Sequence, residues 1–128
     1  MDFQGTYELV SVNGKRLPAA ASTATAGAPI RSGSITLNYG GTVVDVLKSD
    51  GPDGKALIRE STGTWEVIPS GRIPGRFEQA PPLRIDLTWK DGSVTKSMLD
   101  IRTLTLERDG VKFAYRFARA ATNNLQLV

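Results

Sequence analysis

Neither cysteine nor histidine occurs anywhere in the 128 residues. The first absence excludes disulfide staples and thiolate chemistry. The second removes the commonest metal ligand and the commonest general base, so neither a metal site nor a cofactor is expected. Long apolar runs are missing as well. No segment approaches the roughly 18 apolar residues of a membrane span, and the start MDFQGTYELV lacks the basic and long apolar regions of a signal peptide. The chain therefore reads as soluble, cytoplasmic as it stands, or exported if Met1 replaces a removed export signal. Runs of one charge are absent too. Sixteen Lys and Arg against thirteen Asp and Glu give a net charge of +3, and their scatter leaves no footprint for nucleic acid. No Gly-x-Ser-x-Gly motif, no Ser/His/Asp set and no Gly-rich phosphate loop before a helix is present. There is no internal repeat and no interdomain linker, which leaves a single domain over residues 1–128.

What the sequence does contain is alternation broken by turns. Thirteen Gly and seven Pro favour many turns over long helices, and strand signals recur roughly every 8 to 12 residues, the pattern of a sandwich or barrel. TYELVSV (6–12) alternates and runs into Asn13-Gly14, the strongest short hairpin signal because both positions tolerate positive φ. GSITLNY (33–39), TVVDVLKS (42–49), KALIREST with GTWEVI (55–68, one long or bulged strand around Gly63), LRIDLTW (83–89), SVTKSML (93–99), RTLTLER (102–108) and VKFAYRF (111–117) complete about eight strands. The stretch 18–29 reads as a mobile loop or a short Ala-rich helix, 69–82 as a Pro/Gly-rich loop, and RFARAATNNLQL at the end as the one candidate for a longer amphipathic helix. Sequential hairpins favour an all-β, antiparallel, up-and-down barrel. Closure removes exposed sheet edges, and eight strands leave an interior filled by side chains or by one small ligand.

FQGTYELVSVNG (3–14) resembles the first strand of the calycins, the lipocalins, fatty-acid-binding proteins and small bacterial lipocalin-like domains. Their Gly-x-Trp signature appears as Gly5, Thr6 and Tyr7, with Tyr in the Trp place. RSGSITLNYGG (31–41) and KFAYRFAR (112–119) are similar to further strands of the bacterial lipocalin-like domains. The resemblance implies a lipocalin-like barrel whose closed end is plugged by Tyr7, packed near Phe113 or Tyr115 with Arg116 or Arg119 against it. The Arg-x-Tyr carboxylate clamp of fatty-acid-binding proteins does not carry over, because Tyr115 and Arg116 are adjacent and face opposite ways. The start also resembles the bacterial META domain, whose Gly-Cys-Asn stretch is absent here.

The inward faces supply Tyr7, Leu9, Ile35, Leu37, Tyr39, Trp65, Val67, Leu83, Ile85, Leu87, Trp89, Leu104, Leu106, Phe113, Tyr115 and Phe117. Either they fill the core or they wall a cavity. The expected ligand-binding residues are Tyr39, Trp65, Leu83, Ile85, Leu87, Trp89, Phe113 and Tyr115, since pockets join apolar walls to a few polar tips. Phe77, with Arg72 and Arg76, suits a lid whose cations meet a carboxylate or carbonyl head group. The long connections Pro18–Pro29 and Pro69–Pro82 would control access. Charges interrupt apolar strands at Asp45, beside Val43 and Leu47 on its face, at Lys96 beside Val94 and Met98, at Arg59 beside Leu57, and at Glu60 beside Ile58. Each is a site candidate if inward, because an unpaired buried charge is costly, and a solvated charge if outward.

These features point to a carrier or sensor that binds a small hydrophobic ligand in a barrel, as monomer or homodimer. The alternative is a cofactor-free cyclase or isomerase of the allene-oxide-cyclase or Diels–Alderase kind, working by proximity and orientation on a small apolar, polyketide-like substrate. Glu60, Lys96, Tyr39 and Tyr115 are its catalytic candidates. A filled barrel acting as a protein-interaction module is the third reading. An unpaired acid, base or phenol within a cavity would favour the enzyme over the carrier.

Overall fold

Leu83, Ile85, Leu87 and Trp89 turn inward while Arg84 and Asp86 meet each other on the outer surface, and this period-2 alternation organises the whole chain. In the computed structural model, residues 3–17, 19–20, 29–50, 55–68, 83–108 and 110–120 are described. They form β1 (Gly5–Val12), the two-residue β2 (Lys15–Arg16) and β3 (Ala19–Ala20), β4 (Pro29–Leu37), β5 (Thr42–Asp50) and β6 (Ala56–Ile68). β7 (Leu83–Trp89), β8 (Val94–Asp100), β9 (Thr103–Arg108) and β10 (Val111–Ala120) follow. Each long strand pairs antiparallel with its neighbour, and β1 closes the ring by pairing with both β10 and β4. The result is a closed, antiparallel, eight-stranded barrel with β2 and β3 as short additions, as the spacing of strand signals predicts. Among the described residues no helix is long and apolar enough to cross a membrane.

The turns carry the expected chemistry. Asn13 and Gly14 both adopt positive φ, 51° and 79°, and the Asn13 side-chain carbonyl accepts a hydrogen bond from the Lys112 backbone N–H at 2.8 Å. Two glycines are required by close approach of neighbouring strands rather than by a turn. A Cβ at Gly5 would collide with the Arg119 carbonyl on β10, and a Cβ at Gly63 with the Thr88 carbonyl on β7. β6 therefore runs uninterrupted through Gly63 and needs no bulge there.

Fifteen buried hydrophobic side chains form one interior cluster, with Phe3, Leu17, Leu47, Trp65, Leu83, Trp89 and Phe117 packed against it. At one end, Tyr7 lies almost fully buried, edge-on to Phe117 with ring centroids 5.2 Å apart. Its hydroxyl donates to the Phe3 carbonyl at 2.6 Å. Phe3 in turn meets Trp65 edge-on at 5.5 Å, and the Trp65 indole N–H donates to the Asn38 carbonyl at 2.9 Å. These rings pack together at that end, with Tyr7 almost fully buried among them.

Three expectations are corrected, and the open facing of β8 is decided. The aromatic partner of Tyr7 is Phe117, and the cation on this cluster is Arg102, stacked 5.3 Å from the Phe117 centroid. Arg116 and Arg119 are exposed, because they sit at outward positions of β10. On β8 the inward residues are Thr95, Ser97 and Leu99, so Val94, Lys96 and Met98 face solvent. Burying Lys96 would demand a partner, whereas the Ser97 hydroxyl finds one in the Ile85 carbonyl at 2.7 Å. β4 ends at Leu37, and Asn38 N–H donates to the Thr42 carbonyl to close the turn. Tyr39 consequently lies in the turn, about half exposed, and Val67 is also exposed. Finally, residues 116–120 of the expected C-terminal helix continue β10.

Candidate functional site

The end of the barrel opposite Tyr7 contains a buried charge. Val43, Asp45 and Leu47 share the inner face of β5, and Asp45 is 2% exposed. Leu104, Leu106 and Arg108 share the inner face of β9. The shear of the barrel brings Arg108 across to Asp45, where Nη1 donates to Oδ2 at 2.7 Å. The guanidinium lies 4.9 Å from the Trp89 ring centroid and 5.9 Å from that of Phe113, a cation–π arrangement that replaces part of the lost hydration. The Trp89 indole N–H is itself fixed by the Thr95 hydroxyl at 2.8 Å.

This pair is incompletely bonded. Among the described residues, Asp45 Oδ1, Arg108 Nε, Arg108 Nη2 and the Tyr115 hydroxyl are buried without a hydrogen-bond partner. Such atoms are rare because each one forfeits its hydration without return. Nε and Nη2 form one edge of the guanidinium fork. The same edge of Arg84 on the outer wall grips both oxygens of Asp86, at 3.0 and 3.2 Å. Arg108 thus holds ready, inside the barrel, the bidentate geometry that Arg84 uses on a carboxylate.

The electrostatics follow from burial. Desolvation raises the Asp45 carboxyl above its ordinary range and outweighs the opposing pull of Arg108 and of the more distant Arg59. Burial, reinforced by the Asp45 charge, pushes the Tyr115 phenol up, with Arg108 pulling the other way. Tyr115 is therefore a proton-bearing donor at neutral pH. Above the pair, a groove of about 370 Å³ opens at the rim, lined by Ser61, Trp89, Ser93, Thr95, Glu107 and Arg108 among others.

Of the residues singled out in the sequence, Leu83, Ile85, Leu87, Trp89, Phe113 and Tyr115 converge on the interior. Trp65 belongs to the closed end. Glu60 and Lys96 are exposed on the outer wall, and Tyr39 sits in its turn, so the structure does not bring these three to the interior. Arg72, Arg76 and Phe77 lie outside the described residues, as do most of the two long connections. The strand ends that those connections join, Ala20 with Pro29 and Ile68 with Leu83, lie at opposite ends of the barrel, so the two segments attach to different rims. Arg108, Thr95 and Ser97 were not singled out. Arg108 was findable from its period-2 spacing with Leu104 and Leu106. Among the described residues no group of acidic side chains is placed to hold a metal ion. No protein-family model, curated protein or solved structure matches the chain.

Proposed function

We propose that this lipocalin-like barrel, akin to the calycins, binds a small ligand with an apolar body and an oxyanion head group, as a carrier or sensor. The observation that carries the reading is the open Nε/Nη2 edge of Arg108, buried beside Asp45 and below the rim groove. A carboxylate on that edge satisfies two orphaned donors at once. Trp89, which lines the groove, offers a flat apolar wall for the body of the ligand, with Phe113 and Tyr115 buried beneath it. The head group reaches the fork when the Arg108 guanidinium, tethered by its bond to Asp45, turns toward the groove. Mass spectrometry of an organic extract of the purified protein tests this. An acidic small molecule is expected from the parent and is expected to be absent from Arg108→Met. A neutral cargo retained by both proteins contradicts it.

The unpartnered Tyr115 hydroxyl favours a second reading, a cofactor-free cyclase or isomerase in which the barrel folds the substrate and Tyr115 donates a hydrogen bond to developing negative charge. Turnover lost in Tyr115→Phe while ligand affinity persists would select this reading over the carrier.

A further inference from the structure

β6 is longer than the strand beside it. On one side it pairs with β5 from Ala56 to Thr64, without a register shift. On the other it pairs with β7 only from Gly63 to Ile68. Among the described residues nothing pairs with the second edge of residues 56–61, and all six are exposed. The Thr62 carbonyl accepts the Lys90 N–H at 3.3 Å and so points to the β7 side. Backbone polar groups alternate along a strand. Ala56, Ile58 and Glu60 therefore turn their N–H and C=O groups to the open edge, while Leu57, Arg59 and Ser61 bond to β5. Natural edges are guarded by Pro, Lys or bulges. ALIRES (56–61) has no Pro and no bulge, only the charges of Arg59 and Glu60, and it exposes Leu57 and Ile58 at 49% and 61%.

We propose that this edge is the interface with a second copy of the chain, through antiparallel pairing of residues 56–60 about a two-fold axis at Ile58. The edge is self-complementary in that register. Ile58 faces Ile58 of the second copy, and Ala56 faces Glu60, so the three residues exchange about six backbone hydrogen bonds. A register centred on Arg59 would engage Thr62, whose carbonyl is already taken by Lys90. Charges also agree. On the outer face Glu60 lies opposite Ala56, and on the inner face Arg59 lies opposite Leu57, so no like charges meet. The most exposed apolar side chain of the strand packs on its own copy, and the sheet continues from one barrel into the next. This interface borders the rim groove at Ser61, but its pairing does not depend on the interior pair.

Two variants test the proposal. Ile58→Pro removes an N–H that faces the open edge and leaves the β5 ladder intact, so it should preserve the barrel. The parent should sediment at twice 13.8 kDa, and Ile58→Pro at the monomer mass with an unchanged far-ultraviolet circular dichroism spectrum. The chain has no cysteine, so Ile58→Cys carries a single thiol, and antiparallel neighbours about 5.5 Å apart are within disulfide reach. Ile58→Cys should oxidise to a covalent dimer, whereas Met98→Cys, exposed on the outer face of β8, should not under the same conditions. Should Ile58→Pro fail to fold, the two thiol variants decide alone. A parent that stays monomeric at high concentration overturns the proposal. So does equal cross-linking of the two thiol variants, or a dimer that Ile58→Pro leaves unchanged.

Discussion

The two ends of the barrel use the same materials and complete them differently. Each stacks an arginine on an aromatic ring, Arg102 on Phe117 at one end and Arg108 on Trp89 at the other. Each buries a tyrosine. At the closed end the Tyr7 hydroxyl and the Trp65 indole both reach backbone carbonyls, and Arg102 keeps its head in solvent. At the rim end the Tyr115 hydroxyl, one carboxylate oxygen and two guanidinium nitrogens have no hydrogen-bond partner among the described residues. The closed end is finished by the chain itself and serves stability. The rim end holds buried polar groups left without a partner among the described residues, and the proposed ligand would complete them.

Truncating the scaffold should have the largest effect. Tyr7→Ala is expected to cost about 3–5 kcal/mol in urea denaturation, as for other large-to-small aromatic truncations in cores. A loss below about 1 kcal/mol on that scale would mean that Tyr7 does not plug the barrel. The rim pair comes next. Asp45→Ala strands the Arg108 charge and should cost about 3 kcal/mol. The double variant Asp45→Leu with Arg108→Met should recover that loss or exceed the parent, because hydrophobic replacements often match a buried ion pair. A double variant as unstable as the single one would make the pair a scaffold element and erase the contrast between the ends. The smallest effect is the most discriminating, because one substitution should change sign with its location. Tyr7→Phe removes a bonded hydroxyl and should lose about 1 kcal/mol. Tyr115→Phe removes an unbonded one and should be neutral or gain about 1 kcal/mol. Equal losses at both positions would show that Tyr115 is satisfied in solution.

The scaffold was more legible in the sequence than the site, for a physical reason. Strand, turn and facing are local properties. Leu83, Ile85, Leu87 and Trp89 declare an inner face within seven residues, and Asn13-Gly14 declares its hairpin within two. On β8 the sequence leaves the facing open, because apolar Val94 and Met98 share a face with Lys96. The deciding terms were bonds from Thr95 and Ser97 to β7, which hydropathy does not report. The site depends on contacts across the barrel. Asp45 and Arg108 are separated by 63 positions in the chain, and only the shear of the closed sheet sets them together. A charge ending a strand, as Arg108 does, reads locally as solvated. Asp45 was visible as an anomaly, but its partner was not.

The most direct test of the unfinished rim is a calorimetric titration of the parent and of Arg108→Met with two ligands alike in shape, 2-naphthoate and 2-naphthalenemethanol. Hydrogen bonds to charged groups are each worth roughly 1.5–3 kcal/mol, so the parent should prefer the carboxylate by about tenfold or more, and Arg108→Met should bind the two alike. A parent that does not distinguish them, or a preference that survives in Arg108→Met, would contradict the assignment of the Arg108 fork as the head-group site.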